Sequence, residues 1–223
     1  VGECAASHGV YRPGGSALNA GQCGSRRAVS WILSKSTGGW EPDASGLSSS
    51  VKEVEEIVSS SLIGDIDGDE VYEEVRKIMS ISGSALRNKE SMKKALKTVD
   101  DHLSSFSSIC VKNQGRIWNL FQLRNALITQ KVYLSAMIDY VERGGESRGS
   151  SLYSDENGSV KPRNLDQRFV YTLEDEKTNP LIQEVRYKEG KVSFSYREPR
   201  PIPEDDDFCE NVWSEYRKNR NIF

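Results

Sequence analysis

The strongest constraint on this chain is the apolar pattern of residues 117–141. Trp118, Leu120, Phe121, Leu123, Leu127, Val132, Leu134, Met137, Ile138 and Val141 recur there at helical spacing and cover much of a helix's circumference. A helix apolar on so many sides needs cover on several of them, so this one is expected at the buried centre of a bundle. These residues read as core and not as the lining of a ligand site.

Helical spacing also marks the segments that would surround it. Val51, Val54, Ile57 and Val58 lie along 48–62, and Val71, Val75, Ile78 and Met79 along 69–81. Asp69 and Glu70 suit the positive end of that second helix dipole. Asn88 can cap a further helix reaching about 106, with Met92, Leu96, Val99 and Leu103 on its apolar side. An earlier helix is expected over 22–33, with Ala28, Val29, Ile32 and Leu33 on one face, whereas 1–21 read as loop and 36–50 as a linker or domain crossing. After Gly144 the period changes. Residues 169–173 read as a strand, and 182–187 and 192–196 flank Lys188-Glu189-Gly190-Lys191 as a β-hairpin, with Gly190 at positive φ. The proline-rich 197–203 should be extended, and a short helix is expected around 211–217. The fold class is therefore mainly α: an antiparallel helical bundle with a small C-terminal β-hairpin and strand region.

The chain's 223 residues suffice for one good-sized domain or two small ones. Its 30 basic and 33 acidic residues nearly balance, against the basic excess of a general nucleic-acid binder. No apolar run approaches the roughly 18 residues of a membrane helix, and no charged start followed by an apolar core marks a signal peptide. Cys4, Cys23, Cys110 and Cys209 form no close pair, and His8 and His102 are the only histidines, so no metal site is expected. Scattered cysteines read as free thiols in a reducing compartment, which points to the cytoplasm. Asp65, Asp67 and Asp69 resemble the start of a calcium loop, but counting from Asp65 puts Glu70 at position six and Arg76 at position twelve, where glycine and a bidentate glutamate are needed. The turn reads as the cap of the next helix.

The opening of the chain carries the most specific chemistry. Gly2-Glu3 is followed by His8-Gly9-Val10-Tyr11-Arg12-Pro13-Gly14-Gly15-Ser16-Ala17-Leu18. Glycines expose backbone N–H groups ahead of a helix start, a setting for an anion or an electron-rich ring edge. Glu3 can accept hydrogen bonds from sugar hydroxyls, and the planar fork of Arg12 matches a carboxylate.

This stretch resembles the last FAD-contacting segment of the succinate dehydrogenase/fumarate reductase flavoprotein and L-aspartate oxidase family. There a Gly-Glu at a strand end precedes His-Gly-x-Asn-Arg-Leu-Gly-Gly-Asn-Ser-Leu and a helix. Tyr11, Pro13 and Ala17 depart from the Asn, Leu and Ser of that pattern. Glu146-Ser147-Arg148-Gly149 is similar to the Glu-Ser-Arg-Gly that closes the longest bundle helix of the same flavoproteins. The resemblance implies that Glu3 contacts the FAD ribose, that Ala17 and Leu18 present backbone groups to the flavin pyrimidine edge, and that Arg12 grips a substrate carboxylate. It implies a fumarate reductase flavoprotein C-terminal domain-like bundle and hydride transfer between flavin and a small carboxylic acid.

The implied organisation is the end of an FAD-binding domain over 1–36, a helical bundle domain over 37–146, and a loop, hairpin and proline-rich tail over 147–223. The family's GxGxxG unit and capping domain have no counterpart in this sequence, so the chain is expected to be the C-terminal part of a larger flavoenzyme that opens partway through a motif. Alone it is not expected to be active or to retain FAD. Arg148 is expected to brace the bundle against a loop. The alternative is a helical interaction module docking an electron-transfer partner subunit, an iron–sulfur protein that could also bring the chain to a membrane; exposed Trp40, Trp213 or Tyr216 would then mark the surface.

Overall fold

The computed structural model describes residues 2, 15–35, 43–149, 151–175 and 181–199, together with Ser214, Glu215 and Lys218. The chain divides into two compact units, Val1–Asp43 with Arg200–Phe223, and Ala44–Pro199. Apart from Ser214 and Glu215, which are helical, the short helix expected around 211–217 lies outside the described residues.

In the first unit, helix α1 spans Ser16–Lys35. It starts ahead of the expected position 22, within a stretch whose glycine and serine content reads as loop. Ala17, Leu18 and Ala20 are good helix formers and carry the extra turn. Gly15 supplies the break before it, at φ 79°, a conformation in which a side chain would clash.

The second unit is built around α5 (Trp118–Glu142). Helices α3 (Gly68–Ser82) and α4 (Lys89–Ser104) pack against it and against each other, and α2 (Ala44–Ser60) precedes them. The core joins Val71 and Val75 of α3, Met92, Ala95 and Val99 of α4, and Leu120, Leu123, Leu127, Leu134 and Ile138 of α5, with Ile109 from the connection between α4 and α5. Full burial of each of these side chains other than Ala95 contributes about 1.5–3 kcal/mol. The central helix is thus the one expected, with a correction at its start: Trp118 is 54% exposed. Trp118 occupies the first residue of α5, where the helix has just emerged from a 3₁₀ turn at Gln114–Arg116. On α2, Val51 and Val54 are also exposed, and no residue of that helix is buried.

Capping chemistry sets the helix starts. Asp67 accepts a hydrogen bond from the Asp69 N–H at 2.9 Å and begins α3, so the acidic turn is indeed a cap. Its other carboxylate oxygen lies 2.5 Å from Lys112 Nζ, and this hydrogen bond holds the Asp67 carboxyl below its usual range. Asn88 Oδ1 accepts from the N–H groups of Glu90 and Ser91 at 3.0 and 3.2 Å and begins α4.

Two short parallel ladders that no local pattern announces tie the connections together. Strand β1 (Ile66–Asp67) pairs with β3 (Ile109–Cys110), and β2 (Leu86–Arg87) pairs with β4 (Leu152–Tyr153). Gly64 permits the first: a Cβ there would stand 2.5 Å from the Ser108 carbonyl oxygen.

The strand expected over 169–173 is not formed. Gln167–Phe169 is a 3₁₀ turn in which the Asp166 carboxylate accepts the Arg168 N–H and the Asp166 carbonyl the Phe169 N–H, and only isolated bridges follow, from Tyr171 to Ser154 and Val160 and from Leu173 to Ser147. The apolar run has the right alternation but crosses several neighbours instead of following one. The hairpin is present as β5 (Ile182–Lys188) and β6 (Lys191–Arg197), antiparallel, with Lys188 opposite Lys191. Glu189 shares positive φ with Gly190, at 51° and 78°, as a two-residue turn of the right twist requires. Gln183 Nε2 and the Tyr196 hydroxyl both donate to the Asp139 carboxylate, which fastens the hairpin to α5, and the Arg143 guanidinium lies 3.6 Å over the Tyr196 ring. The fold is mainly α with a small antiparallel hairpin near the C-terminal end.

Candidate functional site

In the first unit, the candidate site centres on the first turn of α1. Backbone N–H groups at a helix start have no acceptor inside the helix and carry the positive end of its dipole. Ala17 and Leu18 both lie in this turn, which holds no acidic residue to compete for those groups. Ala17 is buried at 4% exposure, while Leu18 is 72% exposed. The Asn19 N–H reaches back to the Gly15 carbonyl at 3.5 Å, which closes the turn. Gly2, at φ 72°, comes close to the same helix: a Cβ on Gly21 would stand 3.4 Å from the Gly2 Cα. Two positions without side chains therefore allow the Gly2 backbone to approach α1. Glu3 and Arg12 themselves lie outside the described residues, as do Trp40, Trp213 and Tyr216.

In the second unit, the Glu146-Ser147-Arg148-Gly149 motif becomes a clip at the C-terminal end of α5. Ser147 is buried, and its Oγ accepts the Tyr153 N–H at 2.8 Å. Its backbone N–H donates to the Thr172 carbonyl, and its carbonyl accepts the Glu174 N–H at 2.9 Å. Gly149 turns the chain at φ 56°, next to the reciprocal backbone pair between Arg148 and Ser151. Arg148 Nη1 lies 3.1 Å from Glu174 Oε2; the arginine side chain is 59% exposed and the glutamate only 4%. Arg148 thus ties two stretches of the segment after α5 to each other.

The same carboxylate receives the Tyr140 hydroxyl at 2.6 Å. That hydroxyl also lies 3.0 Å from the Glu146 carbonyl oxygen, but a phenol has one proton to give. The shorter contact to a charged acceptor is the stronger bond, so the proton is placed toward Glu174. Burial, and then this bond, push the Tyr140 phenol far above its ordinary range. At neutral pH Tyr140 is therefore a protonated hydrogen-bond donor. Its ring lies 5.6 Å from that of Tyr153, whose hydroxyl accepts from Arg87 Nη1 at 2.9 Å. Neither Tyr140 nor Glu174 belongs to a local motif. Only their meeting in three dimensions marks them.

Beside the clip is a cleft of about 290 Å³ with Leu86, Leu152, Phe169, Tyr171, Leu173 and Arg148 in its walls. Its walls are chiefly apolar, with Ser147, Arg148, Ser151 and Tyr171 contributing the polar side chains. Among the described residues, no group of three or more His, Cys, Asp or Glu side chains is arranged to hold a metal ion. Cys23 is an exposed free thiol and Cys110 a half-buried one. Among the described residues, no helix is long and apolar enough to cross a membrane.

No family model matches the chain. Over 98 residues it is 33% identical to a protein of Methanocaldococcus jannaschii described as an uncharacterized FAD-dependent oxidoreductase. The matched part is 44% of this chain and 18% of that protein, so the chain spans less than a fifth of the length of the relative. The similarity supports a relationship to FAD-dependent oxidoreductases in general, at a level that does not distinguish one type of flavoenzyme from another.

Proposed function

We propose that this chain serves an FAD-dependent oxidoreductase of the succinate dehydrogenase/fumarate reductase flavoprotein type, in which hydride passes between flavin and a small carboxylic acid. The observation that carries the reading is the start of α1 at Ser16, which puts Ala17 and Leu18 in the first turn of a helix whose N-terminal end lacks acidic residues. Such a turn suits the electron-rich edge of a ring, and Gly15 before it adds no side chain to obstruct the approach. The similarity to a flavin-dependent relative supports the same cofactor. FAD, when bound, supplies the hydride chemistry. The chain's own contribution is then to hold and orient: Glu3 takes the ribose hydroxyls, Ala17 and Leu18 the pyrimidine edge, and Arg12 the carboxylate of the acid. The segments that hold the ADP moiety and protonate the acid belong to the rest of such an enzyme.

The test is Arg12→Ala in the intact enzyme. Loss of one charge-assisted contact of about 1.5–3 kcal/mol should lower kcat/KM about tenfold to a hundredfold while the flavin absorbance is retained. Unchanged turnover on small carboxylic acids would overturn the role of Arg12. A protein free of flavin, with Glu3→Gln no different from the parent, would overturn the reading as a whole.

A further inference from the structure

The segment 154–160 joins a chemically reactive dipeptide to a packing requirement that keeps it. Asn157 is exposed, and Gly158 behind it is buried. A glycine nitrogen is the least shielded on the backbone, because no Cβ stands beside it. It can attack the Asn157 side-chain carbonyl carbon. The new N–Cγ bond closes a five-membered imide, and the side-chain nitrogen leaves as ammonia. Water then opens the imide at one of its two carbonyls and yields aspartate or isoaspartate. Asparagine and one water become the acid and ammonia, with no oxidant or reductant involved.

The usual escape from this reaction is a bulkier residue after the asparagine. The structure closes it: a Cβ at 158 would stand 2.4 Å from the Tyr171 carbonyl carbon and 2.6 Å from its oxygen. Glycine is demanded by the contact with Tyr171, so the reactive pair comes with the fold.

The fold also restrains the reaction. The Gly158 N–H donates to the Asp155 carbonyl at 2.9 Å, and the Asn157 N–H donates to Asp155 Oδ1 at 3.0 Å. This closed turn is fastened on both sides. Asp155 N–H bonds the Val170 carbonyl, and Val160 and Tyr171 exchange two backbone bonds of 2.8 and 3.2 Å. Attack requires the Gly158 nitrogen to leave its acceptor, which the hydrogen bonds of the closed turn oppose.

We propose that Asn157 is a site of spontaneous deamidation held in check by the folded turn, so that the modification records opening of the 154–160 loop. Once formed, the product cannot re-close as before. It adds a third carboxylate beside Asp155 and Glu156, and the isoaspartyl form adds a backbone atom to a turn that already contacts Tyr171.

The experiment incubates the purified protein at pH 8, folded and in concentrated urea, and follows residue 157 by peptide mapping and mass. An opening cost of about 1.4 kcal/mol corresponds to tenfold, so the folded rate should lie at least about tenfold below the urea rate. Asp155→Ala loses one turn bond and should raise the folded rate about two- to tenfold without changing the urea rate. Asn157→Gln should abolish the product in both. Equal rates in the folded and unfolded protein, or no product in urea, would overturn the proposal. An Asp155→Ala variant that stays folded and reacts no faster would do so as well.

Discussion

The clip at the end of α5 should respond to mutation in an order opposite to simple burial. Glu174 is almost fully buried and Arg148 mostly exposed, so intuition would make the glutamate the costlier residue to lose. The physical argument says otherwise. Arg148→Met removes a cation and leaves a buried carboxylate with the Tyr140 hydroxyl as its remaining side-chain donor among the described residues. A charged group stripped of a partner costs about 1–3 kcal/mol, rising toward 3–5 kcal/mol where burial is complete. Glu174→Gln keeps an oxygen for Tyr140, and its loss frees an arginine that water can solvate, so it should cost only about 0.5–1.5 kcal/mol. Arg148→Met is therefore expected to destabilise by about 1 kcal/mol more than Glu174→Gln. The double variant should lose less than the sum, because the stranded charge is gone. Equilibrium urea unfolding followed by far-UV circular dichroism, with the m-values compared, measures this directly. A Glu174→Gln variant at least as damaging as Arg148→Met, or additive single effects, would refute the reasoning.

Leu127→Ala should cost about 2–5 kcal/mol, because Leu127 is fully buried at the centre of α5, whereas Trp118→Ala should change stability by less than about 0.5 kcal/mol; thermal or urea unfolding distinguishes the two. Tyr140 should resist ionisation in a 295 nm titration. Its folded pKa is raised, so its contribution to stability is intact below the unfolded phenol value near 10 and is lost as pH rises through the folded value. Tyr140→Phe should therefore flatten the alkaline limb of stability against pH and leave the neutral-to-acid limb unchanged in shape.

Much of the helical architecture is legible from spacing and caps. Leu120, Leu123, Leu127, Leu134 and Ile138 lie on the buried side of α5 because a helix repeats its faces every three to four residues. Asn88 and the acidic turn announce the starts of α4 and α3 because a short polar side chain can meet the orphan N–H groups there. The hairpin is legible because Glu189-Gly190 can take two positive φ angles in succession. The first turn of α1 is hidden by the composition around it, and Trp118 is misplaced because periodicity says nothing about where cover ends. At the sites, Arg148 stands in a recognisable motif, but its partner Glu174 is 26 residues further on with no pattern of its own.

What the sequence by itself determined is therefore local: which residues can share a helix face, which can cap it, and where glycine allows a turn. Tertiary structure alone decided which distant groups meet. It placed Glu174 between Tyr140 and Arg148, paired Leu86–Arg87 with Leu152–Tyr153, broke the apolar 169–173 run into separate bridges, and seated Gly158 against Tyr171. The physical reason is the range of the forces. Propensity and capping act over a few residues of chain and leave a signal in the sequence. A long-range contact depends on the packed position of the whole unit, and a buried carboxylate or a missing Cβ acquires its meaning only from the neighbour that packing brings to it.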